Sequence, residues 1–337
     1  MDRKTDKLPT LKEIAKRLKL STSTVSRALK DHPSIGLVTT MRVKKLAKEL
    51  NYEPNSTAIF FKQRKTFTIG VVLPNLSESF FSTAISSIEN LAHTKDYTVI
   101  LGQSMDDPDR ERNILRTLRA HRVDGLIVSL SKNTSDFSFL EDLKKINTPI
   151  VFFDCVPDRD DVHMVYCELS AGVLDAVDTF VSCGHQHIAL INGPENLLAS
   201  RQRLASFQEG LEAHDIPVNA DYLVTTDLSV KGNQAAIETL LALPQRPSAI
   251  LCFNDYVTLD VMKTARERGI VLNQDMFFIS FANYPIWHYM ENPPMGSIEQ
   301  FPGKQGLKAA EVLFELIEKK SEIPKQYVFS SELIRQY

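Results

Sequence analysis

The residues with the clearest capacity for chemistry lie between positions 21 and 30: Ser21, Thr22, Ser23, Thr24, Ser26, Arg27 and Lys30. Val25, Ala28 and Leu29 are interleaved with them at helical spacing. A helix capped by Ser21 therefore buries those three and presents Thr22, Ser23, Ser26, Arg27 and Lys30 on its other face. Short hydroxyls and one guanidinium on an exposed helix suit base recognition in the major groove. Arg27 can donate two parallel bonds to guanine O6 and N7, and the hydroxyls can reach base edges or phosphates.

Two further helices must position that face. Leu11, Ile14, Ala15 and Leu18 form an apolar stripe, preceded by Thr10 with Glu13 three residues on, a capping-box pattern. The turn to the next helix is Lys19-Leu20-Ser21, a helix-turn-helix spacing. A third helix shows Val43, Leu46, Ala47 and Leu50 and starts near Gly36, a weak cap. Three such helices can share one small core.

Charge agrees with this division. The 337 residues carry a net charge of -3, yet residues 1–65 hold 16 Lys or Arg against 6 Asp or Glu. The remainder is acidic by 13 charges. Such a head either binds a polyanion or is a solvated basic face. Lys4, Lys7, Lys12, Lys16, Lys44 and Lys45 are the phosphate candidates, which add affinity without reading sequence.

Beyond a linker at 55–65, strand-like runs alternate with helical patterns: Thr68–Leu73, Tyr97–Leu101, Gly125–Leu130, Pro149–Phe153, His187–Ile191, Ser248–Phe253 and Met276–Phe281. This predicts an α/β body with parallel sheets, long enough for two lobes. The expected domains are a helical head at 1–54, a hinge or linker at 55–65 and the body at 66–337. Ligands of such bodies bind at the carboxyl ends of strands. Asp154 and Asp255 follow two of the runs, where a carboxylate can accept two hydroxyl hydrogen bonds. Phe80 and Phe81 follow the first and can stack on a sugar ring or base, or pack in the core. Trp287 can serve core, dimer contact or ligand. Each carboxylate can alternatively form a structural ion pair.

Several classes are disfavoured. No dinucleotide or phosphate-loop glycine motif, nucleophile elbow or H-E-x-x-H is present. No cofactor is expected. Cys155, Cys167, Cys183 and Cys252 are scattered and read as reduced thiols, and His185 with His187 reads as a structural turn rather than a metal site. No run approaches the ~20 apolar residues of a membrane span, and the N-terminus lacks a secretory pattern, so a cytoplasmic protein without membrane contact is expected. The alternative is a cytoplasmic sugar-binding or sugar-processing α/β protein with no DNA role.

Thr10-Leu-Lys-Glu-Ile-Ala-x-x-Leu-x-x-Ser21-x-x-Thr24-Val-Ser-Arg27-x-Leu29 resembles the opening signature of the LacI/GalR family of bacterial transcription regulators. Asn51-Tyr52-Glu-Pro-Asn55 resembles the family's sequence before its hinge helix. The similarity continues through Thr68-Ile-Gly-Val, Arg122-Val-Asp-Gly-Leu-Ile, Gly184–Pro194, Asn254-Asp255 and Glu332-Leu-Ile-Arg335, so it spans essentially the whole chain.

The resemblance implies a helix-turn-helix head and a two-lobed body folded like periplasmic sugar-binding proteins. It implies a homodimer on a palindromic double-stranded operator, controlled by a small-molecule effector, as inducer or corepressor. The DNA-contacting set would be Thr10, Ser21, Thr22, Ser23, Thr24, Ser26, Arg27, Lys30, Tyr52, Asn55, Ala58 and Phe61. Phe61 stands where the family inserts a leucine into the minor groove, and Ile59 replaces an arginine. Because the two positions after the capping serine are the short Thr22 and Ser23, bidentate readout falls to Arg27. In the body, Arg203-Leu-Ala-Ser-Phe207 resembles the family's effector-contacting R-x-x-G-F. The effector set is thus Phe80, Phe81, Asp154, Arg203 and Asp255. Leu197, Leu198 and Ala199 stand where purine-responsive relatives carry polar residues, which favours a sugar or sugar derivative. With no leucine-heptad tail, a dimer is preferred to a tetramer.

Overall fold

The computed structural model describes residues 9–52, 65–145, 147–195, 197–319 and 323–336. Internal contacts divide the chain into two units, Met1–Thr66 and Phe67–Tyr337. The expected hinge positions Asn55, Ala58, Ile59, Phe60 and Phe61, and Lys4 and Lys7, lie outside the described residues.

The head consists of α1 (Leu11–Leu18), α2 (Thr22–Leu29) and α3 (Leu37–Glu49). Thr10 caps α1, its hydroxyl accepting from the Glu13 N–H at 3.3 Å. The reciprocal half of the capping box is absent, because the Glu13 carboxylate pairs with Arg17 at 2.6 Å. Lys19 closes α1 in the left-handed region (φ 53). Gly36 is the N-cap of α3 and supplies no side-chain bond. The helix starts at the expected position, and its first turn leaves Leu37 and Val38 exposed. Ile14, Ala15, Val25, Ala28, Val43 and Ala47 form the shared core.

The body holds two six-stranded sheets. The first has the order β11-β5-β4-β3-β1-β2, all parallel, from β1 (Thr68–Leu73), β2 (Thr98–Gln103), β3 (Gly125–Val128), β4 (Ile150–Phe153), β5 (His163–Glu168) and β11 (Gln326–Ser330). The second has the order β12-β10-β9-β8-β6-β7, from β6 (Ile188–Asn192), β7 (Leu223–Thr225), β8 (Ala249–Cys252), β9 (Phe277–Phe281), β10 (Gly296–Glu299) and β12 (Glu332–Arg335). Only β12 runs antiparallel, against β10.

Strands such as β3, β4 and β8 are apolar throughout because helices cover both faces of each sheet. In lobe 1, α4 (Ser79–Thr94) and α11 (Pro302–Lys319) cover one face, and α5 (Pro108–Ala120) and α6 (Phe139–Lys145) the other. Gly306 lets α11 lie against α4: a Cβ there would stand 2.4 Å from the Ala84 carbonyl oxygen. In lobe 2, α9 (Val230–Leu241) and α10 (Asp255–Glu267) oppose α7 (Ser170–Ser182) and α8 (Leu198–Ala213).

The chain passes between the lobes three times: after β5, after β10 and between β11 and β12. Ser331, between the last two strands, ties two of these passages together. Its N–H donates to the Glu168 carbonyl at 3.0 Å, and its hydroxyl accepts from the Gly172 N–H at 3.1 Å. The sequence runs anticipated β1–β4, β6, β8 and β9. They missed β5, β7, β10, β11 and β12, which are short, edge-placed or polar.

Candidate functional site

Two surfaces collect the candidate residues. On the head, Ser21 caps α2: its hydroxyl accepts from the Thr24 N–H at 3.0 Å and meets the Ser23 and Thr24 hydroxyls at 2.7 and 2.8 Å. Three of the expected hydroxyls are thus gathered in one cap cluster. Thr22, Ser23, Arg27 and Lys30 are exposed, whereas Thr24 and Ser26 are partly covered. Arg27 engages no partner among the described residues, which leaves its five donors available. Thr10 is exposed but occupied as a cap. Tyr52 packs against the head core. Lys12, Lys16 and Lys45 are exposed, while the Lys44 ammonium is held by Asp31 at 2.6 Å.

In the body, the carboxyl ends of the strands surround a cavity of about 390 Å³, within the range of small-molecule sites. Pro74 and Glu78 follow β1, Asp106 follows β2, Ser131 and Lys132 follow β3, and Asp154 follows β4. Phe253 and Asn254 follow β8, and Ala282 and Tyr284 follow β9. Phe80, Phe81, Asp154 and Arg203 are brought together in its wall, as expected from their places after strands and on α8. Phe80 meets Phe81 edge-on at 5.3 Å, and Phe81 meets Phe153 at 6.3 Å, so both rings are at once core and lining. Leu197, Leu198 and Ala199 give the wall an apolar stretch.

Asp255 is a correction to the expected set. It is fully buried and does not line the cavity. Its carboxylate accepts from the Ser280 and Ser297 hydroxyls and from the Tyr284 N–H, the latter two at 2.8 and 2.6 Å. It ties the start of α10 to β9 and β10. Burial pushes its carboxyl up to about 6 against those bonds. Its neighbour Asn254 faces the cavity instead, while its side chain caps α10 through the Val257 N–H at 2.9 Å.

Trp287 does not line the cavity either and is buried in the lobe 2 core. His185 bonds to Ser248 and His187 to Gln245. Cys155 and Cys167 line the cavity, Cys252 is buried and Cys183 is exposed.

Arg203 dominates the electrostatics. It is only 3 % exposed, and its guanidinium carbon lies 4.2 and 4.1 Å from the ring centres of Phe253 and Phe281. Nε and Nη1 have no hydrogen-bond partner. Burial lowers its pKa to about 9, opposed by the charge of Asp154. Asp154 sits in the left-handed region (φ 60), which Asp tolerates better than most residues. Burial raises its carboxyl to about 6; the Ser129 hydroxyl, donating at 3.2 Å, and the charge of Arg203 oppose this.

Three lining residues, Glu78, Asp106 and Lys132, were not among those expected from the sequence. Glu78 is partly buried, and burial together with Asp154 and Asp106 raises its carboxyl to about 7. Lys132 bonds to Asp106 through its N–H at 3.1 Å and its ammonium at 3.4 Å. The signal for Glu78 was its place two residues before Phe80. It is also the first carboxylate after β1, as Asp106 is after β2, but neither follows its strand directly as Asp154 follows β4.

Among the described residues, no helix is long and apolar enough to cross a membrane. The family model described as periplasmic binding proteins and sugar binding domain of the LacI family matches residues 66–336. The model for bacterial regulatory proteins of the lacI family matches residues 10–55. The HTH-type transcriptional repressor PurR of Vibrio parahaemolyticus is 27 % identical over 97 % of both chains. The lac repressor dimer bound to operator and an anti-inducer shares the fold, with a TM-score of 0.85, 24 % identity and 98 % coverage of both chains. A LacI family regulator from Enterococcus faecium with bound ribose has a TM-score of 0.70 and 25 % identity, covering 80 % of this chain and 97 % of its own. The chain belongs to the lacI family of bacterial regulatory proteins, as a helix-turn-helix DNA-binding regulator with a sugar-binding-type effector domain.

Proposed function

We propose that this protein is a cytoplasmic transcriptional repressor that binds a palindromic operator as a homodimer and responds to a sugar-like effector seated in the interlobe cavity. The observation that carries the effector assignment is Arg203. A buried guanidinium with two unsatisfied donors is costly by itself. The cost is offset when a ligand supplies oxygen acceptors. Phe80, Phe81, Asp154 and Arg203 are the effector contacts, joined by Glu78. Their aromatic faces and charged groups match the apolar faces and hydroxyl edges of a sugar. Ribose bound to the Enterococcus faecium regulator supports the same class of ligand.

In the head, Arg27 reads bases, assisted by Thr22, Ser23 and Lys30. Ser21, Thr24, Ser26, Thr10 and Tyr52 hold or flank that surface. Asn55, Ala58 and Phe61 belong to a hinge at 55–65, with Phe61 as the minor-groove wedge. Effector and operator affinities are reciprocally coupled, since both act on one lobe arrangement. The cavity binds without turnover. Prolonged incubation with candidate sugars should return them unchanged.

The test is selection of bound duplexes from a random pool, with and without a panel of sugars and nucleobases. An enriched palindrome whose retention changes with a sugar supports the proposal. Failure to enrich any palindrome, or a response confined to nucleobases, overturns it.

A further inference from the structure

Resting on that reading of the head, we infer that His32 is a further DNA contact: its Nε2–H donates to a backbone phosphate at the edge of the groove that Arg27 reads. The loop that carries it leads out of α2 and is set by its own bonds. Asp31 takes the left-handed conformation (φ 53) and its N–H donates to the Ala28 carbonyl at 3.2 Å. The His32 N–H then donates to the Arg27 carbonyl at 3.0 Å, which completes the Schellman pattern closing α2. The Ile35 N–H donates to the His32 carbonyl at 3.0 Å, and Pro33 between them has its φ fixed by its ring.

The imidazole is held as firmly as the backbone. The Ser34 N–H lies 3.2 Å from Nδ1, and the Ser34 hydroxyl lies 2.8 Å from it. A backbone N–H can only donate, so Nδ1 is the acceptor and the ring proton is on Nε2. His32 is exposed, and Nε2 has no partner among the described residues.

Its surroundings suit a polyanion. Asp31 is the only carboxylate between Arg27 and Ser34 and by itself would repel a phosphate. The Lys44 ammonium holds both its oxygens at 2.6 Å, which cancels that charge. Arg27 and Lys30 are exposed on the helix that leads into the loop. Residues near the start of a recognition helix reach base edges, whereas His32 lies past its end, where contacts fall on phosphates. Capping the turn does not require a histidine. An asparagine would accept the same Ser34 N–H in an Asx turn. The imidazole adds a second, protonated nitrogen on a ring already held in place, so little ordering entropy is lost when a phosphate oxygen accepts from it.

The test compares His32→Asn with His32→Gln in the full chain. Asparagine reproduces the Nδ1 acceptor and has no distal donor. Glutamine places an N–H near the Nε2 position and gives up the Ser34 bond. Fluorescence anisotropy at mildly alkaline pH reads binding to the enriched palindrome and to a mixed-sequence duplex. Amide hydrogen exchange across the loop reads whether it keeps its shape. His32→Asn should leave that exchange unchanged and weaken both duplexes about tenfold, the lower end for a hydrogen bond to a charged group. Its salt slope should match the parent's, because a neutral donor displaces no counterion. His32→Gln should bind both duplexes more tightly than His32→Asn does. Parent-like binding by His32→Asn overturns the inference. So does a loss confined to the palindrome, which makes His32 a base reader. Binding by His32→Gln that is no tighter than by His32→Asn leaves His32 a loop-shaping residue and also overturns it. A phosphate contact is independent of sequence, so the mixed-sequence duplex tests His32 even where no palindrome is enriched, and the two readings fail separately.

Discussion

The Tyr256 hydroxyl donates to the Ser77 carbonyl at 3.3 Å, joining the start of α10 in lobe 2 to the loop after β1 in lobe 1. The same ring packs against Tyr284 at 5.2 Å, and Tyr284 belongs to the lobe 1 core. This contact exists only while the lobes stand in this arrangement. A typical hydrogen bond is worth about 1 kcal/mol net, or roughly fivefold in an equilibrium. Tyr256→Phe should therefore shift the lobes toward opening and raise the effector Kd about fivefold. Small-angle scattering should show a larger radius of gyration without effector. Unchanged scattering and affinity would show that the bond does not hold the lobes.

Arg27→Ala should cost about 1–3 kcal/mol of operator binding, the value of a bidentate base contact. Binding to a scrambled duplex should fall far less. Fluorescence anisotropy on both duplexes across a salt series separates these effects, because phosphate contacts set the salt slope. A variant with the same operator preference as the parent would refute base readout by Arg27.

Arg203→Met separates stability from function. It removes a buried cation with unsatisfied donors and keeps a long apolar side chain between Phe253 and Phe281. Effector binding should fall at least 100-fold. The ligand-free melting temperature should hold or rise by a few degrees, because replacing a poorly compensated buried charge is neutral or stabilising. A lower melting temperature with binding retained would make Arg203 a structural residue.

Glu78 predicts a pH dependence. Burial, Asp154 and Asp106 raise its folded carboxyl from 4.5 to about 7, against Lys132 and Asn75. The folded chain thus holds a proton that the unfolded chain releases in that window. The stability this group contributes is full below about pH 4.5 and is lost as pH rises toward 7. Asp154, raised to about 6, adds in the same direction. Glu78→Gln should therefore raise the ligand-free melting temperature by roughly 2–4 °C at pH 8. At pH 4.5 it should change little. Calorimetric scans at both values check the sign, and equal effects at both would contradict it.

Phe61→Ala should reduce operator bending, measured by the mobility of circularly permuted operator fragments. A leucine at the same position should restore it, since both side chains can wedge between base steps. Bending unaffected by loss of the ring would remove Phe61 from the interface.

The head was legible in the sequence because its information is local. Thr10 and Ser21 cap the helices as their spacing required, and Ile14, Val25 and Val43 meet as periodicity predicted. The buried strands were legible for a similar reason: helices on both faces force runs such as Ile150–Phe153 to be apolar throughout. The edge strands β11 and β12 were not, since a half-solvated edge needs no such run. The three passages between lobes, tied at Ser331, depend on pairings far apart in sequence that no local pattern encodes.

Asp154 and Asp255 state the limit most sharply. In sequence both are carboxylates just after an apolar strand. Asp154 lines the cavity, as Glu78 does, whereas Asp255 is enclosed by Ser280, Ser297 and the Tyr284 N–H. Periodicity and capping report local burial, so the helix-turn-helix, the parallel α/β body and the pool of candidate ligand groups are readable from the residues alone. Which of those groups share one cavity depends on where separate strands end relative to one another, a property of the folded chain that no local pattern encodes.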